Sequence, residues 1–261
     1  MKTISAILSL IFIVTVFSFL ICINVLAQEV AVYNDKETAW IDPVQMVASL
    51  EKMLPKSSIP YKVVKAFELE EYMKTNETGV VIITTGIAPS EIFKNQGDKD
   101  LVHQWLFDGG IMFWSGDWPF YYWDAPANCP AAAGEISVFG VTFTTSSGPP
   151  GQNMEPTELG KELIPSIKEH QSSRPVMLAT LENNKFEFES YADNGSNADP
   201  IALRASKMDG WFVNMHTWIE GVSYDQAALE IAELIGNRFL ELKAIDKMGK
   251  SSTTWGEIKG N

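Results

Sequence analysis

Cysteine, histidine and positive charge are all scarce in this chain, and each scarcity removes a class of chemistry. The only cysteines are Cys22 and Cys129. Cys22 falls in an N-terminal apolar stretch, so the rest of the chain holds one thiol and closes no internal disulfide. Cys129, between Asn128 and Pro130, reads as a loop residue rather than a nucleophile. His103, His170 and His216 lie far apart and form no H-E-x-x-H pair, so no metal site is expected. No G-x-G-x-x-G or Walker loop follows a strand, and Gly148-Pro149-Pro150-Gly151 lacks the lysine that would hold a phosphate. No cofactor is expected. With 20 Lys and Arg against 33 Asp and Glu, the net charge is -13. No basic cluster offsets it, so the surface repels phosphates and nucleic acid is excluded as a partner.

What the chain does have begins at its N-terminus. Lys2 is the only charge before Glu29, and Ile4 to Leu26 is almost wholly apolar. A charged start, an apolar core and the small-residue end Val25-Leu26-Ala27 read as a signal peptide cleaved after Ala27. The apolar run is also long enough to cross a bilayer, so an uncleaved anchor over residues 4–26 is the alternative. Both readings place the remainder beyond the inner face of a membrane, periplasmic or extracellular, with membrane contact only if the leader stays. Cys22 follows Leu20-Ile21, where a lipobox wants a small residue. Residues 28–246 are expected to form one domain, followed by a small, polar C-terminal tail over 247–261. Asn76-Glu77-Thr78 and Asn194-Gly195-Ser196 match the glycosylation pattern of a eukaryotic secretory pathway.

Strand and helix patterns alternate through the first half. Val30–Tyr33, Tyr61–Val64, Gly79–Ile83 and Ile111–Trp114 read as strands, and the third is apolar on both faces, as a central parallel strand should be. Asp42-Pro43 is an N-cap followed by proline in the first turn, opening a helix that Pro55 stops. Further helices are expected over Glu68–Lys74 and Lys99–Phe107, the latter closed by Asp108-Gly109-Gly110. In the second half, Ile136–Thr145 alternates as a strand and Glu158–Glu169 reads as a helix. Val176–Thr180, Phe186–Tyr191, Ile201–Arg204 and Trp211–Met215 read as strands with short turns, so part of the sheet is antiparallel. Ser223 and Asp225 begin a final amphipathic helix through Ala228, Ile231, Ile235 and Phe239. The fold class is α/β, a doubly wound, largely parallel, flavodoxin-like sheet with some antiparallel strands.

The strand ending at Asn34-Asp35, the strand Val80–Thr85, the helix closed at Asp108-Gly109-Gly110 and the sharp turn at Ser115-Gly116 together resemble the class I glutamine amidotransferase-like superfold. Within it, the nearest branch is ThuA-like, and Pro200–Arg204 with Gly210–Val213 is similar to its penultimate strand pair. The resemblance implies a nucleophilic cysteine at the turn after the fourth strand, where this chain has Ser115. It also implies a histidine after a late strand, met by His216, and an acid two residues on, where Trp218 stands and Glu220 is displaced. Glutaminase activity is therefore not expected.

Two kinds of site follow. One is a serine hydrolase with Ser115 as nucleophile, His216 as base and Glu220 or Asp117 as orienting acid, since a serine hydroxyl needs an adjacent imidazole. Trp114-Ser115-Gly116 does not make the G-x-S-x-G elbow. The other is a non-catalytic site for a small polar ligand, carbohydrate in class, beyond the carboxyl ends of the strands. There the aromatic loop Trp118 to Trp123 would supply Trp118 and Tyr122, with Asp117 and Asp124 as hydrogen-bonding carboxylates. A third reading makes the same aromatic loop a protein-binding patch.

Overall fold

The computed structural model describes residues 29–35, 42–124, 128–148, 150–217, 219–220 and 222–240. The expected leader, its anchor alternative and the C-terminal tail lie outside them. The first half alternates as its pattern requires. Strand β1 (Val30–Tyr33) leads to helix α1 (Pro43–Lys56), β2 (Tyr61–Val64), α2 (Ala66–Thr75), β3 (Val80–Ile83), α3 (Leu101–Phe107) and β4 (Ile111–Gly116). Asp42 caps α1 by accepting the Val44 and Gln45 N–H groups at 3.0 and 3.1 Å, and Pro43 occupies the first turn.

The second half is more irregular. It runs α4 (Ala133–Phe139), β5 (Gln152–Pro156), α5 (Glu158–Leu163), β6 (His170–Ser172), β7 (Val176–Met177), α6 (Leu178–Asn183) and β8 (Glu187–Ser190). Then come β9 (Ala192–Asp193), β10 (Asn197–Ala198), β11 (Ile201–Arg204), β12 (Trp211–Thr217), β13 (Ile219–Glu220) and α7 (Tyr224–Leu234), which runs on into a π-helical turn.

The main sheet has seven strands in the order β2-β1-β3-β4-β12-β11-β8. From β2 to β12 every pairing is parallel, and β11 and β8 add antiparallel strands at one edge. The chain steps one way from β1 to β2 and the other way from β2 to β3, so the crossover helices fall on opposite faces. On one face, α2 and α3 cover Ala31, Tyr33, Val81, Ile83, Met112, Trp114 and Phe212 in one hydrophobic cluster with Leu69, Val102 and Trp105. The alternate residues turn the other way, where Phe113 meets Phe239 edge-on at 5.5 Å and α1 packs along α7. The fold is thus a doubly wound α/β sheet, mostly parallel with antiparallel strands added, and residues 29–239 form a single compact unit.

Four expectations need correcting. Residues 136–139 are helical, not extended: Val138 and Phe139 are buried with Gly134 and Glu135, Ile136 is exposed, and Gly140 closes the helix at φ +78°. A short alternating run cannot by itself separate the two periods. Helix α5 stops at Leu163 rather than Glu169, because Pro165 pushes Ile164 out of the helical region, to φ -127°, ψ 74°. The strand at Val176 ends at Met177 and gives way to α6. Finally, β13-β6-β5-β9-β10-β7 form a second, six-stranded antiparallel sheet instead of extending the first. Its strands have two to five residues, too short for a period to show.

No helix among the described residues is long and apolar enough to cross a membrane.

Candidate functional site

β4 and β12 are neighbours, and their ends carry the two residues that the sequence singles out for chemistry. Trp114 lies opposite Asn214 and Gly116 opposite Thr217, so Met215 and His216 together face Ser115 alone. This is a β-bulge, which re-aims a side chain at the end of a strand. Strict alternation would send His216 to the face of Phe212 and Trp114. Instead its backbone adopts φ +51°, a left-handed conformation that strains a residue with a Cβ, and the ring reaches Glu230 of α7 on the other face.

The ring is then held from several sides. His216 Nε2 is hydrogen-bonded to Glu230 Oε2, and Gln226 Nε2 donates to Glu230 Oε1 at 2.7 Å. The His216 backbone N–H donates to Asp199 Oδ1 at 2.8 Å, and Ser172 Oγ donates to Asp199 Oδ2 at 2.6 Å. His170 stands edge-on to His216, ring centroids 4.8 Å apart, with its nitrogens 2.9 Å from Lys168 O and 2.8 Å from Asp199 O. His216 and Glu230 are 2 % and 1 % exposed.

Four titratable groups in so little space shift one another. Burial opposes charge on His216, but the Glu230 carboxylate and then Asp199 outweigh it, and its pKa stands above the ordinary 6.5. Burial likewise raises Glu230, yet His216 wins and holds it below 4.5. His170 goes the other way: burial first, then the His216 charge, push it below 6.5. Burial dominates at Asp199 and raises it against the pull of both histidines. The two shifts favour an ion pair of His216 with Glu230. The downward shift of His170 favours its neutral ring, which donates to one of the two carbonyls.

Beyond the ends of β4 and β12 is a cleft of ≈ 460 Å³. Ser115 and His216 form its floor, Gln45 and Ser49 of α1 one wall, and Ser223, Tyr224 and Asp225 at the start of α7 the other. Ser49 Oγ donates to Asp225 Oδ1 at 2.8 Å, Lys52 pairs with the same carboxylate, and the Tyr224 hydroxyl accepts the Asp42 N–H at 2.9 Å. Among the described residues His216 Nδ1 is buried without a partner, and Ser115 lines the cleft beside it. An imidazole with a carboxylate on one nitrogen and its other nitrogen unclaimed, beside a serine, has the parts of a nucleophile and base pair. Among the described residues Ser115 and His216 share no hydrogen bond, and the ion pair favours the protonated ring, which cannot act as a base.

The structure therefore brings Ser115 and His216 into one cleft. Glu220 pairs with Gln171 through its backbone, and its side chain lies outside the described residues. The carboxylate on His216 is Glu230, which sequence reasoning missed. Its signal was present: it belongs to the stripe Ala227, Glu230, Ile231, Leu234, where an acid has no reason to be buried without a partner.

Asp117, Trp118, Tyr122 and Asp124 are not among the residues lining that cleft. Asp117 is buried and accepts from Arg174 Nε at 3.1 Å. The Asp124 carboxylate accepts the Ser90 N–H at 2.8 Å, fixing the loop to residues 88–90. Phe120, at the centre of the aromatic run, is buried against Phe93, Trp114, Phe139 and Phe212. The half-buried Trp118, Tyr121 and Tyr122 pack at tilted angles in sequence, ring centroids 5.4 and 4.8 Å apart. Burial, then Cys129 and Tyr121, raise the Tyr122 pKa. Cys129 is exposed, as a loop thiol should be. Among the described residues no cluster of three His, Cys, Asp or Glu could hold a metal ion.

A scan of the chain against protein-family models finds no match, and a search of curated proteins finds none either.

Proposed function

We propose that this protein is an exported, amidotransferase-like domain that binds a small polar solute, carbohydrate in class, in the cleft above Ser115 and His216. The observation that carries the reading is the cleft itself. It opens beyond the carboxyl ends of parallel strands, where ligands of open α/β sheets bind, and its volume is in the range of ligand sites. Its lining sets the Gln45 amide, the Ser49, Ser115 and Tyr224 hydroxyls, His216 and Asp225 among the apolar Met46, Val222 and Ala227. Such a surface matches a polyhydroxylated ring better than an apolar ligand. The aromatic loop, whose central Phe120 is core, serves the fold first. The leader at residues 1–27 supports an exported location.

A second reading has a specific observation in its favour. Ser115, His216 and Glu230 occur in the order nucleophile, base, acid, across a bulge strained as functional sites often are. That reading is a serine hydrolase of the same cleft.

One experiment separates them. Wild type and Ser115→Ala are treated with a fluorophosphonate, and neutral mono- and disaccharides are titrated into both by calorimetry. The binding reading predicts saccharide heats that weaken in Ser115→Ala, and no phosphonylation. Stoichiometric labelling of wild type, absent from Ser115→Ala, would replace it with the hydrolase. No heat from any saccharide would remove the carbohydrate assignment.

A further inference from the structure

We propose that the solute taken by this cleft carries a carboxylate, held by His216 Nδ1–H, Ser115 Oγ–H and the first turn of α7. The inference rests on the binding reading above and narrows its ligand class from polar solutes to acidic ones, such as a uronate.

Three independent features meet in the cleft. First, α7 is an eleven-residue helix whose opening residues Ser223, Tyr224 and Asp225 line it. Ser223 Oγ accepts the Gln226 N–H, and the Tyr224 and Asp225 N–H groups, in the first turn, have no intrahelical acceptor. Unclaimed first-turn amides are anion donors, and the helix dipole adds to them. Second, His216 Nδ1 is a buried ring nitrogen with no partner in a residue lining the same space. With Nε2 committed to Glu230, the ionised ring has one proton left to give. Third, Ser115, whose hydroxyl can rotate to donate, lines the same cleft. A buried donor left unmet costs about 1–3 kcal/mol. His216 Nδ1, the buried atom of this cleft without a partner among the described residues, therefore points to an acceptor that arrives with the ligand. To that acceptor the serine hydroxyl and the helix amides add donors.

The charges decide which anion. Glu230 already neutralises His216, and Lys52 pairs with Asp225. Asp42, at the start of α1, adds a carboxylate nearby, although its oxygens are taken up by Val44, Gln45 and the Gln45 amide. His216 and Lys52 against Glu230, Asp225 and Asp42 sum to −1, so the site offers directed donors without net positive charge. That favours a singly charged, planar carboxylate over a phosphate dianion. Gln45, Ser49 and the Tyr224 hydroxyl remain for neutral hydroxyls on the same molecule.

The test titrates glucuronate, glucose and inorganic phosphate into the full mature protein. The variants are Ser115→Ala and the double variant His216→Gln/Glu230→Gln, which removes the ion pair without leaving one charge buried alone. Glucuronate should bind wild type at least about tenfold more tightly than glucose, the scale of one charge-assisted hydrogen bond. Ser115→Ala should cut that preference severalfold, and the double variant should abolish it. If glucose and glucuronate bind equally, and Ser115→Ala weakens both, the polar-solute reading stands and the acidic ligand falls. Tighter binding of phosphate than of glucuronate overturns the carboxylate. If neither saccharide binds, both readings fail. Should the double variant not fold, Ser115→Ala alone decides between these outcomes.

Discussion

The left-handed backbone of His216 costs about 1–3 kcal/mol, and a buried charge costs more, so both need compensation nearby. Glu230 supplies it, and that makes the pair testable as a unit. Removing one partner from a buried ion pair costs about 3–5 kcal/mol, because the other charge is stranded. Glu230→Ala should therefore lower the urea unfolding free energy by that amount at neutral pH, and His216→Gln/Glu230→Gln by less than the sum of the singles. The pH window follows from the shifts. Glu230 has a depressed pKa, so its contribution is complete above 4.5 and is lost as pH falls through the folded value. His216 has a raised pKa, so its contribution is complete below 6.5 and is lost as pH rises through the folded value. The pair is at full strength between 4.5 and 6.5. His170, with a lowered pKa, gains stability as pH rises through its folded value toward 6.5, inside that window, so the pair is read from wild type minus double variant. A pH-independent difference would mean that the pair is not ionised.

At the scale of elements, the chain after β3 comes into close contact with the end of β4, next to Ser115. Gly86 and Gly116 both have positive φ, +65° and +126°, and a Cβ on either would meet the other's loop backbone at 2.7 Å. Gly116→Ala thus combines a strained φ with a clash against Gly86 N, and we expect a loss of about 1–3 kcal/mol with weakened ligand binding, measured by urea unfolding and calorimetry. Helix α4 is anchored differently. Glu135, fully buried, accepts the Phe143 and Thr144 N–H groups and the Thr144 hydroxyl. The Trp118 indole N–H is close enough to help lower its pKa, though outside hydrogen-bond geometry. Burial prevails and pushes Glu135 up to about 7. A raised folded pKa means that stability falls as pH rises from 4.5 through about 7, by on the order of 3 kcal/mol. Glu135→Gln should flatten that part of the pH–stability curve, and an unchanged slope would locate the titration elsewhere. The elements also show what a sequence can reveal. Long periodic segments such as α1, and apolar runs such as β3, were legible because one physical signal dominates each. Strands β9, β10 and β13, of two residues each, carry no period at all, and Glu230 became meaningful only once α7 lay across the end of β12.

For the whole molecule, the two sheets differ in what holds them. In the main sheet β1, β3 and β4 are buried along their entire length, whereas β5 and the short strands of the second sheet are partly exposed. Native-state hydrogen exchange should show β1, β3 and β4 amides opening only with global unfolding, and those of β9 and β10 at lower free energy. Equal protection in both sheets would show that they unfold as one unit. The two sheets meet through Asp199, which bonds to His216 at the end of β12 and to Ser172 in β6, so the cleft floor belongs to both. The most direct measurement is the ¹⁵N spectrum of the three histidine rings during a glucuronate titration. The account predicts that His216 Nδ1 shifts with saturation while His103 stays fixed. Binding that leaves His216 unmoved, with changes confined to Trp118–Trp123, would contradict it.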